Sequence, residues 1–219
     1  MKRHFDEELG DLKQKILRMG SMVENQFRQA LNALITRNSE LAIQVIKKDH
    51  EVNAMDVEVD ELCLELLALH QPAARDLRFI TTAMKISTEL ERISDLAEAI
   101  CNRTIELNEE AQLKPYIDIP LMAEHASNMV SEALDSFVRG DAVLARQVLE
   151  KDDYIDQINE QIFRELLTFM IENPKTITRA IRLSFVSKAI ERIADHATNV
   201  AELVVYMVEG KIIRHMSVS

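Results

Sequence analysis

Apolar positions recur along this chain at steps of three and four, the period of a helix with one buried face. Leu90, Ile93, Ala97 and Ile100 step by 3, 4 and 3, and Val52, Met55, Val59, Leu62, Leu66 and Leu69 keep the same rhythm. Stripes of this kind predict the seam of a helical bundle. Punctuation between them gives six helical segments, 3–36, 39–69, 73–108, 118–139, 142–171 and 174–209. Asn38 and Asp141 stand before the second and fifth, where a short polar side chain caps free amides. Gln71-Pro72 and Asn173-Pro174 open the third and sixth, with proline at a first-turn position that needs no amide hydrogen. The stretch "LKPYIDIP", which holds Pro115 and Pro120, reads as a linker. The prediction is an all-α fold of two tandem three-helix bundles, residues 1–112 and 117–219.

The two groups of helices also repeat in sequence. "SELAIQVIKKDHEVNAMD" at 39–56 aligns with "AVLARQVLEKDDYIDQIN" at 142–159, an offset of 103. "ALNAL" at 30–34 meets "ALDSF" at 133–137 at the same offset, whereas the third helices align at an offset of 100. Register held through three helices points to one three-helix unit written twice.

Polar positions add a second pattern. Glu91, Asp95, Glu98 and Asn102 lie on one helical stripe, and Glu191, Asp195, Thr198 and Glu202 repeat it. The second helix carries Asp49, Asn53, Asp56 and Asp60, and the fifth carries Asp152, Asp156 and Asn159. Like charges at i,i+4 cost a few tenths of a kcal/mol on an isolated helix, so four such stripes are unfavourable unless a cation lies among them. If neighbouring helices run antiparallel, Asp49 and Asn53 face Glu91 and Asp95, and Asp152 and Asp156 face Glu191 and Asp195. A solvated acidic face is the ordinary explanation of any single pair. Duplication at equivalent positions favours ion sites, and Arg92 and Arg192 are the internal competitors for the same acids. Oxygen ligands select hard cations such as iron(III), manganese or magnesium.

Composition narrows the function further. A formal charge of −11 argues against nucleic acid, which demands clustered Lys and Arg. Two cysteines, Cys63 and Cys101, form no CxxC and fit buried thiols in a reducing cytoplasm. The opening turns acidic before any apolar stretch, so no secretory signal is expected, and "LVVYMV" at 203–208 is too short to span a bilayer. No Glu-x-x-His, HExxH, nucleophile elbow or phosphate-cradling glycine loop occurs, and His196 has no counterpart at Leu96. A non-enzymatic role is therefore expected, with a carboxylate-bridged metal-dependent hydrolase or oxidase as the rival.

"QPAARDLRFITTAMKISTELERISDLAEAI" at 71–100 resembles the first-repeat signature of the PhoU family, and "LLTFMIENPKTITRAIRLSFVSKAIERIADHATNVAELVVYMVEG" at 166–210 resembles its second. The resemblance spans nearly the whole chain. It implies a cytoplasmic homodimer that negatively regulates the phosphate-starvation response and high-affinity phosphate uptake. Its implied partners are a sensor histidine kinase and the ATPase of the phosphate ABC transporter, with no membrane insertion. It also implies a multinuclear metal (iron, manganese, magnesium or zinc) on E(D)xxxD motifs, which fall here on Glu91 with Asp95, Glu191 with Asp195, Asp152 with Asp156, and Asp49 with Asn53. Asn53 departs from the pattern, so its site is expected to hold fewer ions or hold them more weakly. Ser94 and Ala194, at positions often held by Gly in the family, are expected to matter little because both suit a helix.

Overall fold

In the computed structural model, which describes residues 2–72 and 74–213, every regular element is helical. The helices are α1 (Lys2–Thr36), α2 (Ser39–His70), α3 (Ala74–Asn108), α4 (Asp118–Arg139), α5 (Ala142–Leu149), α6 (Asp152–Glu172) and α7 (Ile177–Glu209). A 3-10 turn, Pro174–Thr176, precedes α7. Helices α1 to α3 pack on one another as one three-helix bundle, and α4 to α7 form the second.

The repeat is visible in how the first helix of each half hands over to the second. At the end of α1, Arg37 adopts φ 53°, and the Asn38 amide donates to the Ala33 carbonyl at 2.9 Å. At the end of α4, Gly140 adopts φ 61°, and the Asp141 amide donates to the Ser136 carbonyl at 2.9 Å. Both are left-handed helix stops of the kind that glycine accommodates most easily. Arg37 bears a side chain in that conformation, and its Nη2 donates to the Leu107 and Glu110 carbonyls at the end of α3. A strained turn thus also caps a neighbouring helix. Asn38 then caps α2 by accepting from the Leu41 amide, and Asp141 caps α5 by accepting from Val143 and Leu144.

Three expectations are corrected. The predicted fifth helix is broken at Glu150–Lys151, where the Tyr154 amide reaches back only three residues to the Lys151 carbonyl. Consecutive aspartates favour a helix start over a helix interior, and Asp152–Asp153 open α6. Pro72 precedes α3 rather than occupying its first turn, whereas Pro174 does open the 3-10 turn. Leu69 is 63 % exposed at the end of α2, and Cys63 takes the buried position on that stripe.

The two bundles share one apolar core, running from Leu12, Ile16 and Phe27 in the first half to Phe137, Ile190 and Val204 in the second. Among the described residues, the most extensive helix contact is between α3 and α7, the third helices of the two halves, and α1 also packs on α4. Buried Ala83, Ser87, Ser94 and Ala97 on α3, with Ala194, Ala197 and Ala201 on α7, keep these central helices slim. Gly20 does the same for α1, since a Cβ there would stand 2.5 Å from the Leu134 Cδ1 of α4. No helix among the described residues is long and apolar enough to cross a membrane.

Candidate metal centre

The acidic stripes of α2 and α3 meet within the first half, and those of α6 and α7 meet within the second. Equivalent positions have nevertheless become chemically different.

In the first half Asp49 is buried, 6 % exposed, and well supplied with donors. Its Oδ1 accepts from Ser94 Oγ at 2.6 Å and from Gln26 Nε2 at 3.3 Å, while Oδ2 accepts from Asn53 Nδ2 at 2.9 Å. Asn53 therefore faces Asp49 with its amide nitrogen, as a donor. Below them Ser87 donates to Asp56 at 2.5 Å. Burial, then the neighbouring Asp95, raises the Glu91 carboxyl above its ordinary range, with smaller contributions from Asp56 and Asp49. Arg92 offsets part of this, bridging Glu91 at 3.3 Å and Asp95 at 3.1 Å. Asp95 is thereby held on the outer side of α3, 41 % exposed. Burial followed by Asp56 also raises Asp60.

The second half lacks those donors. At the repeat offsets, Met129 replaces Gln26, Asp156 replaces Asn53 and Ala194 replaces Ser94. Asp152, the counterpart of Asp49, is left among carboxylates. Burial, then Asp195, Asp156, Asp153 and Glu191 in that order, pushes its carboxyl up from 3.8 to about 6. Free amides at the start of α6 favour an anion there, but burial and repulsion outweigh them. Asp156 is raised by burial, then by Glu191 and Asp195, and it shares a hydrogen bond with Glu191. Asp195 is raised by burial and then Glu191, against the lowering effect of Lys188, His196 and Arg192. Lys188 forms an ion pair with Glu191, and Asn159 Nδ2 donates to the same carboxylate at 3.0 Å. Ser187 holds Asn159 by donating to its Oδ1 at 2.8 Å, as Ser87 holds Asp56.

The donor set of the second half fits a hard cation: four acids on two helices, which burial and mutual repulsion raise despite Lys188, Arg192, His196 and Asn159 nearby. Among the described residues, no three Asp, Glu, His or Cys side chains close around a single point. The four acids lie near enough to repel one another strongly without forming a preassembled cage. In the first half Asp49 already has three protein donors and Asp95 has Arg92, so its carboxylates have much less unsatisfied charge.

Sequence reasoning placed the acids and missed the residues that control them. Ser87 and Ser187 stand at the 100-residue offset, a signal available in the repeat itself. Gln26 lies on a different helix from Asp49, and no local pattern links them. Ser94 and Ala194, expected to matter little because both suit a helix, differ by a hydroxyl that donates to Asp49. His196 is packed between the halves, with Nδ1 2.7 Å from Glu89 Oε2, and Asn199 Nδ2 donates to that same oxygen at 3.0 Å.

Comparison with known proteins agrees with this architecture. The family model described as PhoU domain matches twice, over residues 16–104 and 119–204. A phosphate-specific transport system accessory protein PhoU homolog of Pseudomonas aeruginosa is 41% identical over 218 residues, covering 99% of this chain and 90% of the relative. The homolog from Aquifex aeolicus is 43% identical, covering 96% of both chains. The Escherichia coli K12 accessory protein PhoU is 35% identical, over 97% of this chain and 88% of its own. The crystal structure of PhoU from Pseudomonas aeruginosa superposes with a TM-score of 0.91 at 42% identity, covering 94% of this chain and 100% of that one. The phosphate transport system regulatory protein PhoU from Streptococcus pneumoniae gives 0.90 at 30% identity, covering 95% and 98%.

Proposed function

This chain belongs to the PhoU family, and we propose that it is a non-enzymatic accessory of a phosphate-specific transport system that restrains phosphate uptake and the phosphate-starvation response. The observation that carries this reading is likeness along almost the whole length of accessory proteins from several bacteria, with both copies of the domain present. In this reading the chain is a cytoplasmic homodimer that joins the ATPase of a phosphate ABC importer to a sensor histidine kinase. Surface apolar residues support a role in contacts: Phe163, Leu167 and Ile171 on α6 and Ile177, Ile181 and Phe185 on α7 are all exposed along one hairpin.

Asp152, Asp156, Glu191 and Asp195 would hold iron, manganese, magnesium or zinc. The ion supplies positive charge that offsets their repulsion, and so couples α6 to α7. In the first half Asp49 and Glu91 would bind more weakly, because Ser94, Gln26, Asn53 and Arg92 already occupy the acids there.

Deleting the gene is expected to derepress phosphate-scavenging genes in phosphate-rich medium, with restoration by the intact gene. Expression unchanged by the deletion refutes the regulatory reading. Metal analysis of protein purified without chelator checks the second part. Glu191→Ala/Asp195→Ala should lose most bound metal, and Asp49→Ala should lose little.

A further inference from the structure

The chain is acidic overall, with 37 Asp and Glu against 26 Lys and Arg, yet one cleft reverses that sign. It lies at the seam of the two halves, where the C-terminal ends of α4 and α7 meet the start of α3 and the side of α1. Its volume is about 460 Å³, and it is lined by nine residues of which Lys13, Arg75 and Arg139 are cationic and none is acidic. A random sample of this surface would have favoured acids.

Part of the positive charge has a structural use. Lys13 Nζ donates to the Val138 carbonyl, and Arg78 Nε, beside the cleft, donates to the Met207 carbonyl at 3.1 Å. These two cations offset the negative ends of α4 and α7. The other two are in surplus. Arg75 is exposed and makes no hydrogen bond or ion pair among the described residues. Arg139 gives one Nη2 to Asp135 at 3.2 Å in an exposed pair, which leaves the rest of its fork available. The wall beneath them is apolar: Phe79 stacks on buried Phe137 with centroids 5.5 Å apart and planes 10° apart, beside Met207.

We infer that this cleft binds a phosphorylated small molecule with a planar or apolar body, of the nucleotide class. Guanidinium forks match phosphoryl oxygens in shape and charge. The aromatic wall and a volume in the range of small-molecule sites, about 300–1,000 Å³, suit a body larger than a lone tetrahedral anion. The proposal does not depend on the acid cluster or on the regulatory reading above.

Titration calorimetry with ATP tests it, in chelated buffer at moderate salt so that the acid cluster contributes no metal-bridged binding. Wild-type protein is expected to bind ATP saturably at one site. Arg75→Ala, at a side chain with no partner among the described residues, should weaken binding at least about tenfold while far-UV circular dichroism and the melting temperature stay unchanged. Arg75→Glu/Arg139→Glu should abolish binding, and Arg28→Ala, in a different groove between α1 and α4, should leave it intact. Inorganic phosphate should bind at least about tenfold more weakly than ATP, because it leaves the aromatic wall uncovered. Absence of ATP binding to the wild type overturns the proposal, as does undiminished binding in a folded Arg75→Ala protein. Phosphate binding as tightly as ATP overturns the assignment to nucleotides.

Discussion

Replacing Asp152 with Asn in metal-free protein should stabilise the fold at neutral pH, although it removes a charged group from a proposed ligand set. The Asp152 carboxyl rises from 3.8 to about 6 on folding, through burial and four neighbouring carboxylates. A change of that size separates the protonated and ionised forms by about 3 kcal/mol in full burial. Asp152 is only half-buried, and solvent screening reduces the usable figure to roughly 1–2 kcal/mol. Because folding raises this group, its contribution is complete below the unfolded value, fades as pH rises and is gone above about 6. At pH 7.5 the wild type therefore carries the full repulsion. Asp152→Asn should raise the unfolding free energy by roughly 1–2 kcal/mol there, a gain in melting temperature of roughly 2–8 °C for a chain of this size. Near pH 4 the wild-type carboxyl is largely protonated, and the gain should shrink towards zero. Urea unfolding of both proteins at the two pH values, with chelator throughout, measures the difference. A loss of stability at pH 7.5, or a gain independent of pH, would refute the electrostatic account of the second-half cluster. Adding manganese should reverse the order, because an ion bound at 100 times its Kd adds about 2.7 kcal/mol to whichever protein holds it.

Other consequences of the geometry are as direct. Ser94→Ala removes a donor from buried Asp49 and should cost about 1–3 kcal/mol by urea unfolding, whereas the native Ala194 shows that the helix tolerates alanine at the equivalent position. Asp141→Ala strips the cap that receives the Val143 and Leu144 amides and should cost about 1 kcal/mol, measured in the same way. Burial pushes the Cys63 and Cys101 thiols up to about 12, so a disulfide reagent at pH 8 should label native protein only as fast as it opens. Rapid labelling of both thiols under native conditions would contradict the packing of α2 and α3.

The helices, their caps and the duplication follow from local signals. A 3.6-residue period needs only neighbours in sequence, and Asn38 and Asp141 bond to amides two or three residues away. The break before Asp152 had a local cause too, in the paired aspartates, which the reading of 142–171 as one segment passed over. Acid stripes at i,i+4 were equally visible, because a helix places those side chains together wherever it lies.

What surrounds each stripe was settled by packing across helices. Besides Asn53 of its own helix, Asp49 takes donors from α1 and α3, whereas the chain that holds Asp152 in the same motif has Met129 and Ala194 at the equivalent positions of the matching helices. The cationic cleft likewise joins Lys13, Arg75 and Arg139 from three helices in two halves. Rotation and axial offset of one helix against another decide such meetings. Those two quantities are fixed by the fit of many small side chains along α1, α3, α4 and α7. A one-dimensional pattern carries the face a residue shows, and the close packing of slim central helices chose what that face would meet.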